Sequence, residues 1–365
     1  MNKLFTTLPV FLLLVLATNQ VMAQTEVVVS PFTFSGYLET YYIYDFSNPA
    51  DHDRPDFLYS FDRHNEVNLN LGLFQADYNT DRVRGELALM AGTYPNANLA
   101  AEPGVLKNIF AANAGVKVSK TKDLWVDAGI FASHIGFESA IGAVCWNMTR
   151  SLAAENSPYY LSGAKISYTS DNEQWFISGL LLNGWQRIQR VDGNQTPAFG
   201  HQITWTPNER VTLNSSSFIG NDMPDDNRQM RYFHNIYGQF QLTPKLGLIT
   251  GFDIGAQQTD RADSDYDTWY SPVVIARYAP TEKLAVAGRA EYYSDKNGVL
   301  VSTETPNGFQ TFGYSLNLDV LVSPTALFRI EARTFASRED NIFMDSDGIA
   351  SQNNSFVGTS LSITF

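Results

Sequence analysis

The sequence predicts an all-β protein: a transmembrane antiparallel β-barrel of about 16 strands, with short turns at one end and long loops at the other. Three observations carry this. Apolar and polar residues alternate with period two along most of the chain, up to the final Phe365. Short turns rich in Pro, Asn and Asp alternate with longer polar connections. No apolar run after residue 18 approaches the roughly 20 residues that a membrane helix needs.

The N-terminus differs from the rest. Asn2 and Lys3 precede "LFTTLPVFLLLVLA", and "TNQVMA" follows, with Val21 and Ala23 as the small residues before a cleavage point. This pattern reads as a secretory signal peptide over 1–23, leaving 24–365 as the barrel domain. The apolar core is short for a membrane anchor, and no cysteine follows the cleavage point to accept a lipid. Cys145 is the only cysteine, so no intrachain disulfide framework exists. An exported chain of this size without disulfides fits a Gram-negative envelope.

Two stretches show the strand pattern. "EVNLNLGLFQADY" (66–78) sets Val67, Leu69, Leu71 and Leu73 against Asn68, Asn70 and Gly72. "FGYSLNLDVLV" (312–322) sets Phe312, Tyr314, Leu316, Leu318 and Val320 against Gly313, Ser315, Asn317 and Asp319. Short turns fall at 79–82, 119–123, 169–173, 206–210, 243–245, 279–283 and 323–326. Pro and Asn/Asp supply the preset or permissive backbone angles of tight hairpins. The longer connections lie near 47–61, 95–107, 136–158, 188–197, 220–229, 258–267, 295–307 and 337–352. This alternation gives an even strand count, with both ends of the barrel on the side of the short turns. A soluble β-sandwich also alternates, but explains neither the turn rhythm nor the aromatic C-terminus.

That C-terminus, "VGTSLSITF", places Val357, Thr359, Leu361, Ile363 and Phe365 on one face. A strand running to the last residue needs a partner, and barrel closure supplies the first strand. The ending also resembles the assembly signal of outer-membrane barrels, which assigns Phe365 to recognition by the barrel assembly machinery. Aromatics near strand ends (Tyr41, Tyr42, Tyr44, Phe46, Tyr159, Tyr160, Trp269, Tyr270, Tyr292, Tyr293) are expected to form interfacial girdles.

Lys and Arg total 25 against 38 Asp and Glu, a formal net charge of -13, which excludes a nucleic-acid partner. Most of the acidic excess lies in the long loops. These loops offer two readings, a solvated acidic surface or a cation layer bridging lipopolysaccharide, and the first is favoured. "DSDYD" (263–267) begins like a calcium loop but lacks its later Gly and bidentate Glu, so no metal is assigned.

Charges interleaved with apolar strand residues should face a wet interior, because Arg or Lys facing lipid at mid-membrane costs about 2–4 kcal/mol. The alternation assigns Glu39, Glu66, Arg84, Glu86, Lys117, Asp127, Lys165, Asp253, Arg277, Arg289, Glu291, Asp319, Arg329, Glu331 and Arg333 to the lumen. Of these, Arg84, Glu86, Arg277, Arg289, Glu291, Arg329, Glu331 and Arg333 are the candidate pore-lining residues. The alternative is that these charges pair across strands and only stabilise the wall.

The chain resembles the OmpL-like putative β-barrel porin family of Gram-negative bacteria. The resemblance rests on "FSGYLETYYIYDF" (34–46), "HIGFES" (134–139) and "WNMTRSLAAENSPYYLSGAKISY" (146–168), with Gly136, Glu138, Asn147, Thr149, Arg150, Ser151, Pro158 and Gly163 at the family's recurrent positions. It implies an outer-membrane transport pore with no catalytic residues and no cofactor. Its partners would be outer-membrane lipid and lipopolysaccharide, the barrel assembly machinery and small hydrophilic solutes. Homotrimers are expected by analogy with porins of this strand number.

In such porins the third long loop folds inward, an analogy of architecture. Here that loop is 136–158, the longest, and its Ala, Ile, Val, Cys and Trp residues are too apolar for a loop in water. Its only charges, Glu138, Arg150 and Glu155, are the candidate constriction. A hydrophobic outer cap or a partner surface is the alternative. Cys145 reads as a packed residue. Of the five histidines, only His134, near Ser133 and Ser139, comes close to an outward-facing hydrolytic pair, and an enzyme is not expected. Two function classes remain: a diffusion channel for small hydrophilic solutes or ions, and a structural or adhesive barrel with a plugged lumen.

Overall fold

The computed structural model describes residues 30–261 and 264–365. The signal-peptide reading of 1–23 lies outside the described residues. Fifteen strands follow in chain order: β1 (Phe32–Asp45), β2 (Val67–Asn79), β3 (Val83–Ala91), β4 (Ile109–Lys117), β5 (Asp123–Ala132), β6 (Tyr160–Thr169), β7 (Trp175–Leu182), β8 (Ala198–Asn208), β9 (Val211–Asn221), β10 (Met230–Gln241), β11 (Leu246–Gln258), β12 (Tyr266–Tyr278), β13 (Leu284–Asp295), β14 (Phe309–Ser323) and β15 (Ala326–Ser337). Two short strands, β16 (Phe343–Met344) and β17 (Ala350–Ser351), form a small hairpin within the last loop, and β18 (Asn353–Thr364) ends the chain. Strands β1–β15 and β18 close into one antiparallel barrel, each paired with its chain neighbours and β18 paired with β1.

The Pro- and Asn/Asp-rich turns occupy one rim, and the seven strand-to-strand gaps there match the short turns read from the sequence. The other rim carries the long loops. No helix among the described residues is long and apolar enough to cross a membrane.

Closure explains the chain's ending. The Phe365 N–H donates to Gly36 O at 3.0 Å, and the Gly36 N–H donates to Phe365 O at 2.7 Å. The final strand therefore leaves no free edge there. A Cβ built on Gly36 would stand 2.4 Å from the Phe365 ring, so the ring lies directly over the glycine. Aromatic cover of a strand glycine is a known register device. Val357, Leu361, Ile363 and Phe365 face outward and exposed, while Phe356, Ser360 and Ser362 face inward and buried.

Two expectations change. In β2 the single apolar face is broken. Glu39 pairs with Leu71 and Thr40 with Leu69, so Asn70 is an extra residue opposite that step. A bulge of this kind switches which face later residues occupy. Leu71 and Leu73 are buried, whereas Phe74 is exposed with the outward set. The girdle aromatics also divide. Tyr44, Phe46 and Tyr270 are exposed, but Tyr41, Trp269 and Tyr293 belong to a buried core inside the barrel. Adjacent aromatics on a strand point to opposite faces, and only one of the two can meet lipid.

Candidate functional site

The lumen is occupied by the loop between β5 and β6. After Ala132 the chain turns inward. It makes a 3-10 turn at Gly142–Val144 and one helical turn at Leu152–Glu155, where the Ser151 hydroxyl accepts from the Ala154 N–H. Such irregular backbone is tolerated at membrane depth only when protein satisfies its polar groups.

The wall of β13, β14 and β15 does this. Arg329 donates to the carbonyls of Gly142 at 2.7 Å, Asn147 at 3.1 Å and Cys145 at 2.5 Å. Arg289 donates to Thr149 O at 2.7 Å, and Arg333 to Arg150 O at 2.8 Å. The carboxylates face the loop's donors. Glu331 accepts from the Thr149 N–H at 2.6 Å, and Glu291 from the Leu152 N–H at 2.6 Å. Asn317 accepts from the Met148 N–H at 3.1 Å. The charges also pair among themselves, with Arg333 to Glu291 at 2.5 Å and Arg289 to Glu331 at 3.2 Å. Charge-assisted bonds of this kind are about twice as strong as neutral ones.

The apolar part of the loop reaches other walls. Phe137 and Trp146 pack against Ile249, Val273, Ile275 and Ala287 on β11–β13. Met148 and Leu152 join the largest core cluster, to which inward residues of β1, β5 to β10, β12 to β15 and β18 contribute. That cluster runs round most of the lumen near the long-loop rim. It also takes Leu58 and Phe61 from the loop between β1 and β2.

The three constriction candidates sit within this packing. The Arg150 guanidinium donates to the carbonyls of Ser139, Met148 and Ala140, and it is fully buried. Its charge closes the loop on itself. Glu138 accepts from the Ser151 hydroxyl and N–H, and lies 3.8 Å from Arg289. Glu155 accepts from the N–H groups of Tyr59 at 2.9 Å and Ser60 at 3.2 Å, joining the first and third long loops. Burial pushes its carboxyl up to about 7.

The eight pore-lining candidates divide by wall. The side chains of Arg289, Glu291, Glu331 and Arg333 have no exposed surface, and that of Arg329 is 2% exposed. These five face inward but lie under the loop, so they anchor it instead of lining water. Arg84, Glu86 and Arg277 keep partial exposure. Arg84 grips Asp127 through two bonds of 2.6 Å and stacks over Trp125. Glu86 accepts from Asn113 at 3.0 Å. Lys117 and Lys165 lean over the rings of Trp125 and Phe131 on the same side. Glu66, read as luminal, instead pairs with Arg63 beside the first long loop.

The sequence reading missed the inward fold of that first loop. "FLYSF" (57–61) was its signal, an apolar run inside a polar connection. The reading also missed an outward polar patch. Ser217 Oγ lies 2.6 Å from His201 Nδ1, and Ser215 lies between His201 and His234. The cluster makes its contacts among Ser and His side chains only, among the described residues, and the backbone of β8, β9 and β10 is committed to ladder pairing. His134, the nearest histidine to Ser133 and Ser139 in sequence, bonds instead to Ser217 O at 2.8 Å.

A closed, even-stranded antiparallel barrel with an apolar exterior and a loop folded into a charged lumen defines an outer-membrane porin. The chain belongs to the family described as "Putative beta-barrel porin-2, OmpL-like", whose pattern matches residues 31–365. Among solved structures it is similar to an anion-selective porin from Comamonas acidovorans, with TM-score 0.61, 7% identity, and 92% of this chain and 99% of that chain covered. OprB of Pseudomonas putida gives TM-score 0.60 at 10% identity, covering 92% and 94%. The trimer form of OmpT of Vibrio cholerae gives 0.58 at 8% identity, covering 92% and 99%. No curated protein sequence matches the chain.

Proposed function

We propose that the protein is a narrow diffusion channel for small hydrophilic solutes or ions, with the loop over 136–158 as its constriction. The observation that carries this is the attachment of that loop, inside the lumen, to the arginines and carboxylates of β13 and β15. Solutes then pass along the opposite wall, where Arg84, Glu86, Lys117 and Lys165 keep contact with water. Glu138, Arg150 and Glu155 set the constriction by fixing the loop's shape. The chain is exported through its N-terminal signal peptide and assembled in the outer membrane through the Phe365 ending. It works as a homotrimer; the trimer form of the similar OmpT supports that assembly.

A second reading is favoured by one observation. The buried core that includes Phe61, Met148 and Phe343 draws on so many strands that it fills much of the lumen near the loop rim. On that reading the barrel is closed and serves a structural or adhesive role. Single-channel recording in planar bilayers separates the two. A channel gives steps from the parent protein, and deletion of 141–149 raises their size without preventing insertion. A parent that inserts and never conducts supports the closed barrel. A deletion that conducts as the parent does removes the loop from the solute path.

A further inference from the structure

Three long loops do more than cap the barrel. Those over 46–66, 296–308 and 338–352 enclose a cup of about 800 Å³ over the seam where β1 meets β18. Volumes of this size suit small-molecule sites, which pair apolar walls with a few placed polar groups. We propose that this cup is a binding site, open on the long-loop face, for organic cations with an apolar body, the class of aromatic and alkyl amines.

The walls supply the apolar surface. Phe57, Leu300, Ile342, Phe343 and Met344 line the cup. Phe57 and Phe343 are held in place by ring contacts with Phe309 and Phe335, so the wall is preformed. Met344 remains 57% exposed, an apolar side chain at the edge of the cup with little cover.

The charge is one-sided. The lining carboxylates are Asp45, Asp51, Asp53, Asp56, Glu304 and Asp345, against the single guanidinium of Arg54. Two of these acids are neutralised locally, Asp45 by Arg54 and Asp53 by Arg63. Asp51 and Asp345 accept backbone N–H groups, which fix their carboxylates without neutralising them. Asp56 and Glu304 are exposed and have no ion-pair partner among the described residues. Four uncompensated carboxylates around one concavity raise the local cation concentration over about a Debye length, roughly 10 Å at 0.1 M salt.

The floor adds an independent sign of a ligand. Arg54 is 3% exposed and Asn354 is also 3% exposed, and both line the cup. Arg54 Nε has only the Asp45 carboxylate at 3.5 Å, and Arg54 Nη2 and Asn354 Oδ1 have no hydrogen-bond partner among the described residues. Buried polar groups are normally satisfied, so these two await an acceptor and a donor. Arg54 does not make the cup an anion site. Its charge is already met by Asp45, the Phe61 carbonyl and the face of the Phe356 ring. What remains on offer is the two N–H bonds of Nη2 for a neutral acceptor and one carbonyl oxygen for an ammonium.

Ligand-observed saturation-transfer NMR on the mature protein in lipid nanodiscs tests this. The probes are phenethylamine, phenylacetate of similar size and opposite charge, and magnesium chloride alone. Phenethylamine should bind in low salt and phenylacetate should not. Asp56→Asn with Glu304→Gln should weaken phenethylamine binding at least tenfold, and both positions are exposed enough to leave folding intact. Equal or tighter binding of phenylacetate overturns the proposal, because Arg54 would then govern. Full displacement of phenethylamine by magnesium with no apolar-body dependence (methylamine binding as well as phenethylamine) overturns it too, leaving an inorganic cation site. Unchanged binding in the double variant places the amine elsewhere. The cup does not include the loop over 136–158, so none of these outcomes depends on whether the lumen conducts.

Discussion

Arg289 on β13 and Arg84 on β3 arise from the same sequence pattern, a base at an inward position flanked by small or apolar residues. Their fates differ. The Arg289 side chain has no exposed surface and bonds to the loop at Thr149, whereas that of Arg84 is 34% exposed and pairs with Asp127 on its own wall. The difference lies in what the lumen contains. Around Arg289 the wall meets loop N–H and C=O groups that need charged partners; the wall of Arg84 takes only apolar loop residues, Ala140, Ile141 and Ala143, and leaves Arg84 partly exposed. An inward charge in a barrel is therefore an anchor or a lining according to what is packed against it.

The largest expected effect separates these walls. Glu331→Ala leaves Arg289 without one carboxylate partner and the Thr149 N–H without its acceptor, at full burial. Removing one member of a buried charge network costs about 3–5 kcal/mol. The strand ladders do not depend on Glu331, so the barrel should still insert. The loop should come free, and trypsin should then cut after Arg150 in intact vesicles. Arg84→Ala should leave trypsin resistance unchanged, since partly exposed pairs contribute about 1 kcal/mol or less. Equal protease sensitivity in the two variants would erase the distinction between the walls.

Next in size is the seam. Deleting Phe365 removes both backbone bonds to Gly36 and the ring that covers it. Heat-modifiable barrel in the outer membrane should fall, with precursor retained in the periplasm. Normal surface levels of the truncated protein would show that the ending is only a strand terminus. Phe365→Tyr keeps the ring and the bonds and should assemble normally.

The strands were legible because their signals are local. Each short turn has its own Pro, Asn or Asp, and each outward face keeps period two through residues such as Leu316, Leu318, Leu361 and Ile363. The exception in β2 has a local cause, the extra residue at Asn70, which no alternation count reveals. Inward orientation was also legible for Arg289, Glu291, Arg329, Glu331 and Arg333. Their burial was not, because it depends on the path of a loop more than 130 residues away in sequence from all five. Arg150 shows the limit most clearly. As the loop's only base it looked like a charge in the water path. Its nearest oxygens turn out to be the carbonyls of Ser139, Ala140 and Met148, a local geometry that sequence spacing does not encode.

A smaller effect concerns how the anchored region responds to pH. Glu155 is buried between the first and third long loops, and burial raises its carboxyl from 4.5 to about 7. Arg150 on its own loop and Arg333 on β15 oppose the rise, as do the N–H groups of Tyr59 and Ser60. Arg54 and Arg289 also face it. An acid whose folded value lies above its unfolded value holds its proton more tightly in the fold. Its contribution is therefore complete below about 4.5 and is lost as pH rises through about 7. The difference is roughly 3 kcal/mol at most. Trypsin cleavage after Arg150 should become faster between pH 5.5 and about 8 than trypsin's own pH dependence accounts for. Glu155→Gln cannot titrate and should flatten that excess. An unchanged profile in the variant would move the pH sensitivity to another group.

The smallest effect belongs to the exposed wall. Arg84→Gln changes the lumen by one charge and frees the Asp127 carboxylate, which the Arg84 guanidinium holds through two bonds. Reversal potentials across a potassium chloride gradient should shift modestly toward cations. The shift should fade at high salt, because the screening length falls from about 10 Å at 0.1 M to about 3 Å at 1 M. Arg289→Lys supplies the control on the other wall. It keeps the charge but not the fork that reaches Thr149 O and Thr149 Oγ1. It should therefore alter conductance noise, as the loop loosens, before it alters selectivity. A selectivity shift from Arg289→Lys larger than that from Arg84→Gln would mean that ions run along β13 and β15, and the assignment of the two walls would have to be reversed.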